Sequence, residues 1–346
     1  MVDRVAMAAD LGAHALRFGW FFGVNRLVER QADRLGSRRA FKPTKPVPGL
    51  RPLLEDLGQL MLRDARAVGE GTLAPIDLPA NKLPGHLKRL RAMLRDLPGA
   101  VTRREQRDAT SARQLAETEG LPDYFTQDFH FQTGGYLTED SAALYDMQVE
   151  TLFYGSAALM RRAAARHAIS AVAGRDQRTL KLLDVACGTG RFLREIREAL
   201  PAMSLKGVDL SEAYLDEARA HFDGLRPATF LAANAEALGE TDGAYDIVTC
   251  IFLFHELPPE VRRTVAGELA RVVKPGGTLV FMDSLQMGDR PNWDGLLEAF
   301  PVRFHEPYYR HYAVDDLDGI FTANGLELAE KELAFLSKIL VYTKPD

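Results

Sequence analysis

The sequence predicts an α/β fold, a doubly wound and mainly parallel sheet, behind a mostly helical N-terminal extension. Three observations carry this reading. A buried apolar run, a glycine turn and an amphipathic helix follow one another directly over residues 180–200. From there to residue 283, short apolar runs alternate with helical patterns, the signature of consecutive βα units. Before residue 140 no such alternation occurs, and helical periodicities are separated by prolines.

In the N-terminal part, residues 10–35 have the spacing of an amphipathic helix, with Leu11, Ala15, Phe18 and Phe22 on one stripe. Its Phe18–Val24 segment is rich in aromatics. Such a helix can lie in a membrane interface, or dock on its own domain or on a second copy in a homodimer. Four prolines at 43, 46, 48 and 52 mark an extended linker, and helical patterns resume at 52–69, 84–97 and 101–119. Residues 121–138 are an aromatic loop, suited to lining a pocket or to forming a structural arm. A long helix is expected over 139–173. The domain division that follows is 1–138 for the helical extension, facing substrate or membrane, and 139–346 for the α/β domain.

The α/β part begins with Leu180–Val185, a strand buried on both faces. Asp184, Gly188 and Gly190 follow, then a helix with Phe192, Leu193, Ile196 and Leu200 on one face and Pro201 beyond its end. Glycines allow a sharp turn and a close ligand approach, and the helix start offers unpaired N–H groups. This layout suits a dinucleotide or S-adenosylmethionine (SAM). The third glycine of a dinucleotide fingerprint is replaced by Leu193, which disfavours the dinucleotide. Further strands are expected at Ser204–Asp209, Thr229–Ala232, Tyr245–Phe254 and Lys274–Asp283, with Ser211 capping the helix that runs to His221. A helix at Glu260–Val272 precedes the Lys274–Gly277 turn. A helix at Asp315–Asn324, capped by Gly325, leads to a final strand pair at Leu326–Phe335 and Ser337–Thr343.

Composition narrows the function classes. The chain is 46% hydrophobic and 26% charged, as in a globular protein. Residues 1–110 hold 20 basic and 12 acidic residues, net +8; the whole chain carries −5, so the remainder carries −13. A basic front can meet anionic lipid or nucleic acid, or can simply be a solvated helical surface. Cys187 and Cys250 are too few for a disulfide framework or a zinc cage and are expected as small core residues. Asp3, Asp10 and Arg17 interrupt the first apolar run, so no signal-peptide layout is read there. The expected location is cytoplasmic, with peripheral membrane contact through 10–35 left open.

The glycine turn Asp184-Val-Ala-Cys-Gly-Thr-Gly190 resembles motif I of class I SAM-dependent methyltransferases, Asp/Glu-x-x-x-Gly-x-Gly. Asp209, Asn234 and the Val-Lys-Pro-Gly-Gly277 turn agree with it in order and spacing, so the chain is similar to methyltransferases of type 11. Tyr145-Asp146 and Tyr154-Gly-Ser156 also look loosely like the preceding helix of ubiquinone/menaquinone C-methyltransferases. The resemblance implies a Rossmann-like seven-stranded sheet of order 3-2-1-4-5-7-6 and SAM as cofactor. It implies cofactor contacts from Asp184, Ala186, Gly188, Gly190, Asp209, Leu210, Asn234, Ala235 and Ile251, with Tyr154 near the methionine end. Asp209 would bind the ribose hydroxyls and Leu210 would pack on adenine. Asn234 stands where the family has an acid, and its amide oxygen can accept from the adenine amino group.

For catalysis, His255 matches the first histidine of the family's His-His-Leu ending of motif IV, and Glu256 replaces the second. Either can take a proton, or His255 can serve to orient the loop. His305 lies in an aromatic insertion, 289–312, that resembles a substrate lid. No metal is expected in the reaction. The favoured function is methyl transfer from SAM to a small hydrophobic acceptor: quinone-like, phenolic or lipid. Nucleic-acid methylation is disfavoured, because His255-Glu-Leu-Pro258 stands where an Asn/Asp-Pro-Pro-Tyr/Phe motif would be. A SAM-binding interaction protein without transferase activity is the other alternative.

Overall fold

A computed structural model describes residues 2–36, 41–78 and 82–346. It divides into two compact units, one of Met1–Leu159 with Glu298–Glu306 and one of Met160–Leu297 with Pro307–Asp346.

The first unit is helical: α1 (Arg4–Arg34), α2 (Leu50–Gly69), α3 (Leu83–Gln106) and α4 (Glu139–Leu152). Asp3 starts α1 by accepting the N–H groups of Val5 and Ala6 at 2.9 and 3.1 Å. α1 packs against α2, α3 and α4. Phe21 and Val24 of α1 form a core with Met93 and Met147. Arg17 is held by Glu150 at 2.9 Å and by the carbonyls of Gly155 and Asp77, both at 3.2 Å. Phe18, Phe22 and Tyr154 cluster with ring centroids 5.9–6.5 Å apart. The aromatic segment of α1 is therefore used largely inside its own unit, although Phe22 stays 46% exposed. Among the described residues no helix is long and apolar enough to cross a membrane.

Three expectations in this unit need correction. The helices expected at 84–97 and 101–119 are one helix, α3, that runs through Pro98 and ends at Arg107, a left-handed residue with φ 55°. After it only a short turn, Ser111–Gln114, forms, pinned by Asp128, which accepts from Ser111 Oγ and the Ala112 N–H. The helix expected over 139–173 is broken into α4 and α5 (Ser156–Ser170). Tyr154 and Gly155 take φ of 53° and 82° at the break, and a Cβ on Gly155 would meet the Phe21 ring at 3.0 Å.

The second unit carries the sheet: β1 (Lys181–Val185), β2 (Ser204–Asp209), β3 (Thr229–Ala232), β4 (Tyr245–Ile251), β5 (Val273–Ser284), β6 (Glu327–Ala334) and β7 (Ser337–Thr343). The order is β3-β2-β1-β4-β5-β7-β6, as the resemblance implied. The first five strands are parallel, and β7 runs antiparallel to both β5 and β6. Every residue of β4 is buried, as expected for a central parallel strand. Helices α6 (Arg191–Ala199), α7 (Glu212–His221) and α8 (Pro259–Val272) connect the parallel strands, and Ser211 caps α7 as expected. Asp246 ties three strand starts together. It accepts from the Lys181 N–H, Arg175 and Lys274 at 3.0, 2.7 and 2.8 Å.

After β5 come α9 (Asp294–Arg303), α10 (Tyr309–Tyr312) and α11 (Leu317–Thr322). The aromatic insertion at 289–312 is thus partly helical, and its aromatics divide. Trp293, Tyr309 and Tyr312 are buried in the α/β unit; Phe300 and Phe304 belong to the helical unit, where His130 meets both edge-on. Arg262 of α8, fully buried, donates to the carbonyls of Phe254 and Tyr308 and pairs with Asp315 at 2.9 Å. One side chain thus fixes the loop after β4 and both ends of the segment around α10. Arg262→Ala would leave those acceptors buried without a donor and should destabilise the chain by about 3–5 kcal/mol, read by chemical denaturation. A loss under about 1 kcal/mol would show that Arg262 is not a structural hub.

Candidate functional site

The C-terminal ends of β1, β2, β4 and β5 gather the polar groups of the α/β unit. At the end of β1, Ala186, Gly188 and Gly190 take φ of 58°, 52° and 71°, three left-handed positions in five residues. The two glycines do different work. A Cβ on Gly190 would sit 2.9 Å from the Ala218 Cβ, so Gly190 permits helix packing. A Cβ on Gly188 would meet nothing within 4 Å, so Gly188 faces open space. The N-terminus of α6 starts directly behind this turn.

Asp209, at the end of β2, holds the turn in place. Its Oδ2 accepts the Gly188 N–H at 2.9 Å, and its Oδ1 accepts the Ser211 N–H at 2.9 Å. Burial raises its pKa against those backbone donors. Lone pairs remain on both oxygens for hydroxyl donors of a ligand. Leu210 follows directly. Past β3, Asn234 closes a local turn in which its Oδ1 accepts the Glu236 N–H at 2.9 Å. One lone pair of that oxygen is therefore already used. Ala235 is half-buried in the same turn.

Asp184 lies within the sheet rather than on the loop. It is buried, and the Thr249 hydroxyl of β4 donates to its Oδ1 at 2.6 Å. Burial pushes its carboxyl up to about 7, opposed by the Thr249 bond and reinforced by the nearby Asp209 charge. Thr249 was not apparent as a partner from the glycine motif alone. The parallel register places it beside Asp184, so the pairing follows once β4 is set next to β1.

At the end of β4, Ile251 is buried and Phe252 takes a left-handed φ of 59°. The short turn Phe254–Glu256 then presents His255. Its Nδ1 lies 2.6 Å from Asp283 Oδ1, and its backbone N–H donates to Asp283 Oδ2 at 3.2 Å. Asp283, near the end of β5, is fully buried. Sequence reasoning missed it, although the neighbouring registers of β4 and β5, with Ile251 opposite Met282, place it next to the His255 turn. Glu256 Oε1 stands 3.7 Å from His255 Nε2. The rings of Phe252, Tyr309 and Tyr312 lie 6.1–6.3 Å from the imidazole.

The remaining candidates, Tyr154 and His305, belong to the helical unit. His305 Nε2 is 2.7 Å from Gln127 Oε1, and burial lowers its pKa. Burial raises the Tyr154 phenol. Cys187 and Cys250 are buried free thiols, as expected of core residues.

Residues 182–277 match the family model described as a methyltransferase domain. Residues 182–277 thus form a methyltransferase domain, and the α/β unit around them has the glycine turn and the seven-stranded order that the resemblance to class I SAM-dependent methyltransferases implied. The chain is 35% identical over 144 residues to the demethylmenaquinone methyltransferase of Thermus thermophilus, covering 41% of this chain and 61% of that protein. It is 31% identical over 167 residues to the ubiquinone/menaquinone biosynthesis C-methyltransferase of Methylobacterium nodulans, covering 47% and 63%. The chain thus spans about three fifths of the length of these two relatives. Among solved structures, the SAM-bound magnesium protoporphyrin IX methyltransferase of Synechocystis matches at 19% identity and a TM-score of 0.40, over 53% of this chain and 79% of that one.

The raised Asp184 carboxyl sets a pH dependence. Below about pH 4 it is protonated folded or unfolded; between about 4 and 7 only the folded chain keeps the proton. Its contribution to stability therefore falls as pH rises through that window. Asp184→Asn should gain on the wild type progressively from pH 4.5 to 7.5, by on the order of a few kcal/mol, in denaturant melts without added ligand. Parallel pH curves would contradict a raised Asp184.

Proposed function

We propose that this chain transfers a methyl group from SAM to a small hydrophobic acceptor of quinone or phenol type, with His255 accepting the proton. The observation that carries the reading is the His255–Asp283 pair, set at the ends of β4 and β5 beside the glycine turn. The named relatives, both methyltransferases of quinone biosynthesis, support the acceptor class.

The residues present fit SAM. Gly188 leaves room where a side chain would intrude, and the Asp209 carboxylate is fixed by two backbone donors with lone pairs to spare for the ribose hydroxyls. Ala186 and Gly190 shape the turn, and Leu210, Asn234, Ala235 and Ile251 complete the cofactor side. SAM, when bound, supplies a methyl activated by its sulfonium. The protein then has two tasks, alignment and proton removal. Asp283 fixes the imidazole through Nδ1, and Nε2 is the nitrogen that takes a proton from a phenol or enol. The Glu256 carboxylate 3.7 Å away favours the imidazolium that results. Phe252, Tyr309 and Tyr312 give that proton acceptor an apolar surround.

Two variants separate cofactor binding from chemistry. Asp209→Ala should weaken SAM binding by roughly 1.5–3 kcal/mol in calorimetry, through loss of charge-assisted hydrogen bonds. His255→Gln should leave SAM affinity unchanged and cut turnover by roughly 10²–10⁴-fold; unaltered turnover would reduce His255 to a loop anchor. The decisive experiment incubates the chain with methyl-labelled SAM and a panel of demethylated quinols, phenols, fatty acids and oligonucleotides. Label in a quinol or phenol, located by mass spectrometry, is the expected result. Label in nucleic acid, or tight SAM binding with no product, would overturn the assignment.

A further inference from the structure

The helical unit contains a polar cluster unrelated to the glycine turn. Asp10 and His14 are four residues apart in α1 and so share one face, and Asp64 reaches them from α2. All three are buried, to 2%, 1% and 1% exposure. His14 Nε2 lies 3.0 Å from Asp10 Oδ2 and 3.1 Å from Asp64 Oδ2, and the three facing atoms all lie within 4.8 Å of one another.

We infer that Asp10, His14 and Asp64 bind one divalent transition-metal cation, with zinc the leading candidate, as a link between α1 and α2. Hydrogen bonding alone does not satisfy the cluster. The imidazole Nε2 stands within 3.1 Å of both carboxylates, but its hydrogen bond is aligned on Asp64 Oδ2. Asp10 Oδ2, fully buried and 3.0 Å from the same nitrogen, is left without a hydrogen bond. Its orientation is nonetheless fixed, because Asp10 Oδ1 accepts the Ile76 N–H at 2.8 Å. A ligand oxygen aimed inward while its twin is held by a backbone donor is the arrangement that outer-shell bonds give a metal ligand.

Charge and donor type point the same way. Two carboxylates with a protonated imidazole carry a net −1 inside the unit, whereas a divalent cation with two carboxylates and a neutral imidazole comes to zero. Zinc with bonds of about 2.0–2.1 Å puts tetrahedral donors about 3.3 Å apart, close to the separations here. One nitrogen and two oxygens suit zinc and its neighbours better than calcium or magnesium, which favour oxygen alone. The three residues supply three of the four donors of a tetrahedral zinc. It joins two helices and is separate from the methyl-transfer chemistry, so this inference stands whatever the acceptor proves to be.

The full-length chain, stripped with a chelator and dialysed, should take up one equivalent of zinc and melt several degrees higher for it. Cobalt loaded in its place should give the visible bands of a low-symmetry site, lost on adding zinc. X-ray absorption of the zinc-loaded wild type should count one imidazole and no sulfur. Asp10→Asn, which keeps the acceptor for Ile76, and His14→Gln should each weaken zinc binding by more than about 100-fold. The inference is overturned if the folded wild type binds neither zinc nor cobalt. It is equally overturned if the imidazole count differs from one, or if the Asp10→Asn/His14→Gln double variant keeps wild-type zinc affinity. The absorption measurement uses wild-type protein, so it remains decisive if a variant fails to fold.

Discussion

The Asp209 carboxylate is the fixed point of the α/β unit's working end. Three left-handed residues in a row of five are costly for a chain, and two of the three are glycines for that reason. Asp209 takes the Gly188 N–H with one oxygen and the Ser211 N–H with the other, so the end of β2 clamps the turn that leaves β1. The same clamp sets the start of α7. The glycine turn and the start of α7 are thus both referred to one side chain. The cost is a half-buried carboxylate, offset by its backbone donors.

A second carboxylate performs the equivalent task one strand pair further on. Asp283 holds His255 by both its ring and its backbone, and Arg262 holds the carbonyl of the residue before it. The imidazole is therefore fixed from two sides, by groups that need not touch an acceptor. Tyr309 and Tyr312 complete its surroundings from the segment that Arg262 also anchors. Position at the sheet edge and position of the covering segment are thus mechanically coupled through one guanidinium.

The sheet was legible in the sequence because its parallel strands are short, mostly apolar runs bounded by turn residues, as at Asp209 after β2 and at Gly276-Gly277 before the apolar run of β5. The glycine turn was legible for the same reason: φ above zero selects residue type directly. Partners across strands were less so. Thr249 on Asp184 and Asp283 on His255 depend on register, which a motif does not state. The helical unit was the hardest to read. Pro98 is an expected breaker, yet α3 continues through it, while the real stop, Arg107, has no compositional mark. At the break Tyr154-Gly155, Phe21 and Arg17 of α1 approach Gly155 so closely that a Cβ there would crowd both, a contact that depends on tertiary packing and not on local sequence. Asp64 lies fifty residues beyond His14 in the chain and meets Asp10 and His14 only through the packing of α1 on α2.

The segment 298–306 has a consequence for how this protein is made. It belongs to the helical unit, yet it is encoded after β5 of the other. A nascent chain leaving the ribosome carries 1–159 for roughly 140 residues before that piece arrives, on the order of ten seconds at ordinary elongation rates. During that interval Phe300 and Phe304 are missing from beside His130, while the five parallel strands are synthesised. The later-encoded unit can thus assemble most of its sheet before the earlier one is whole.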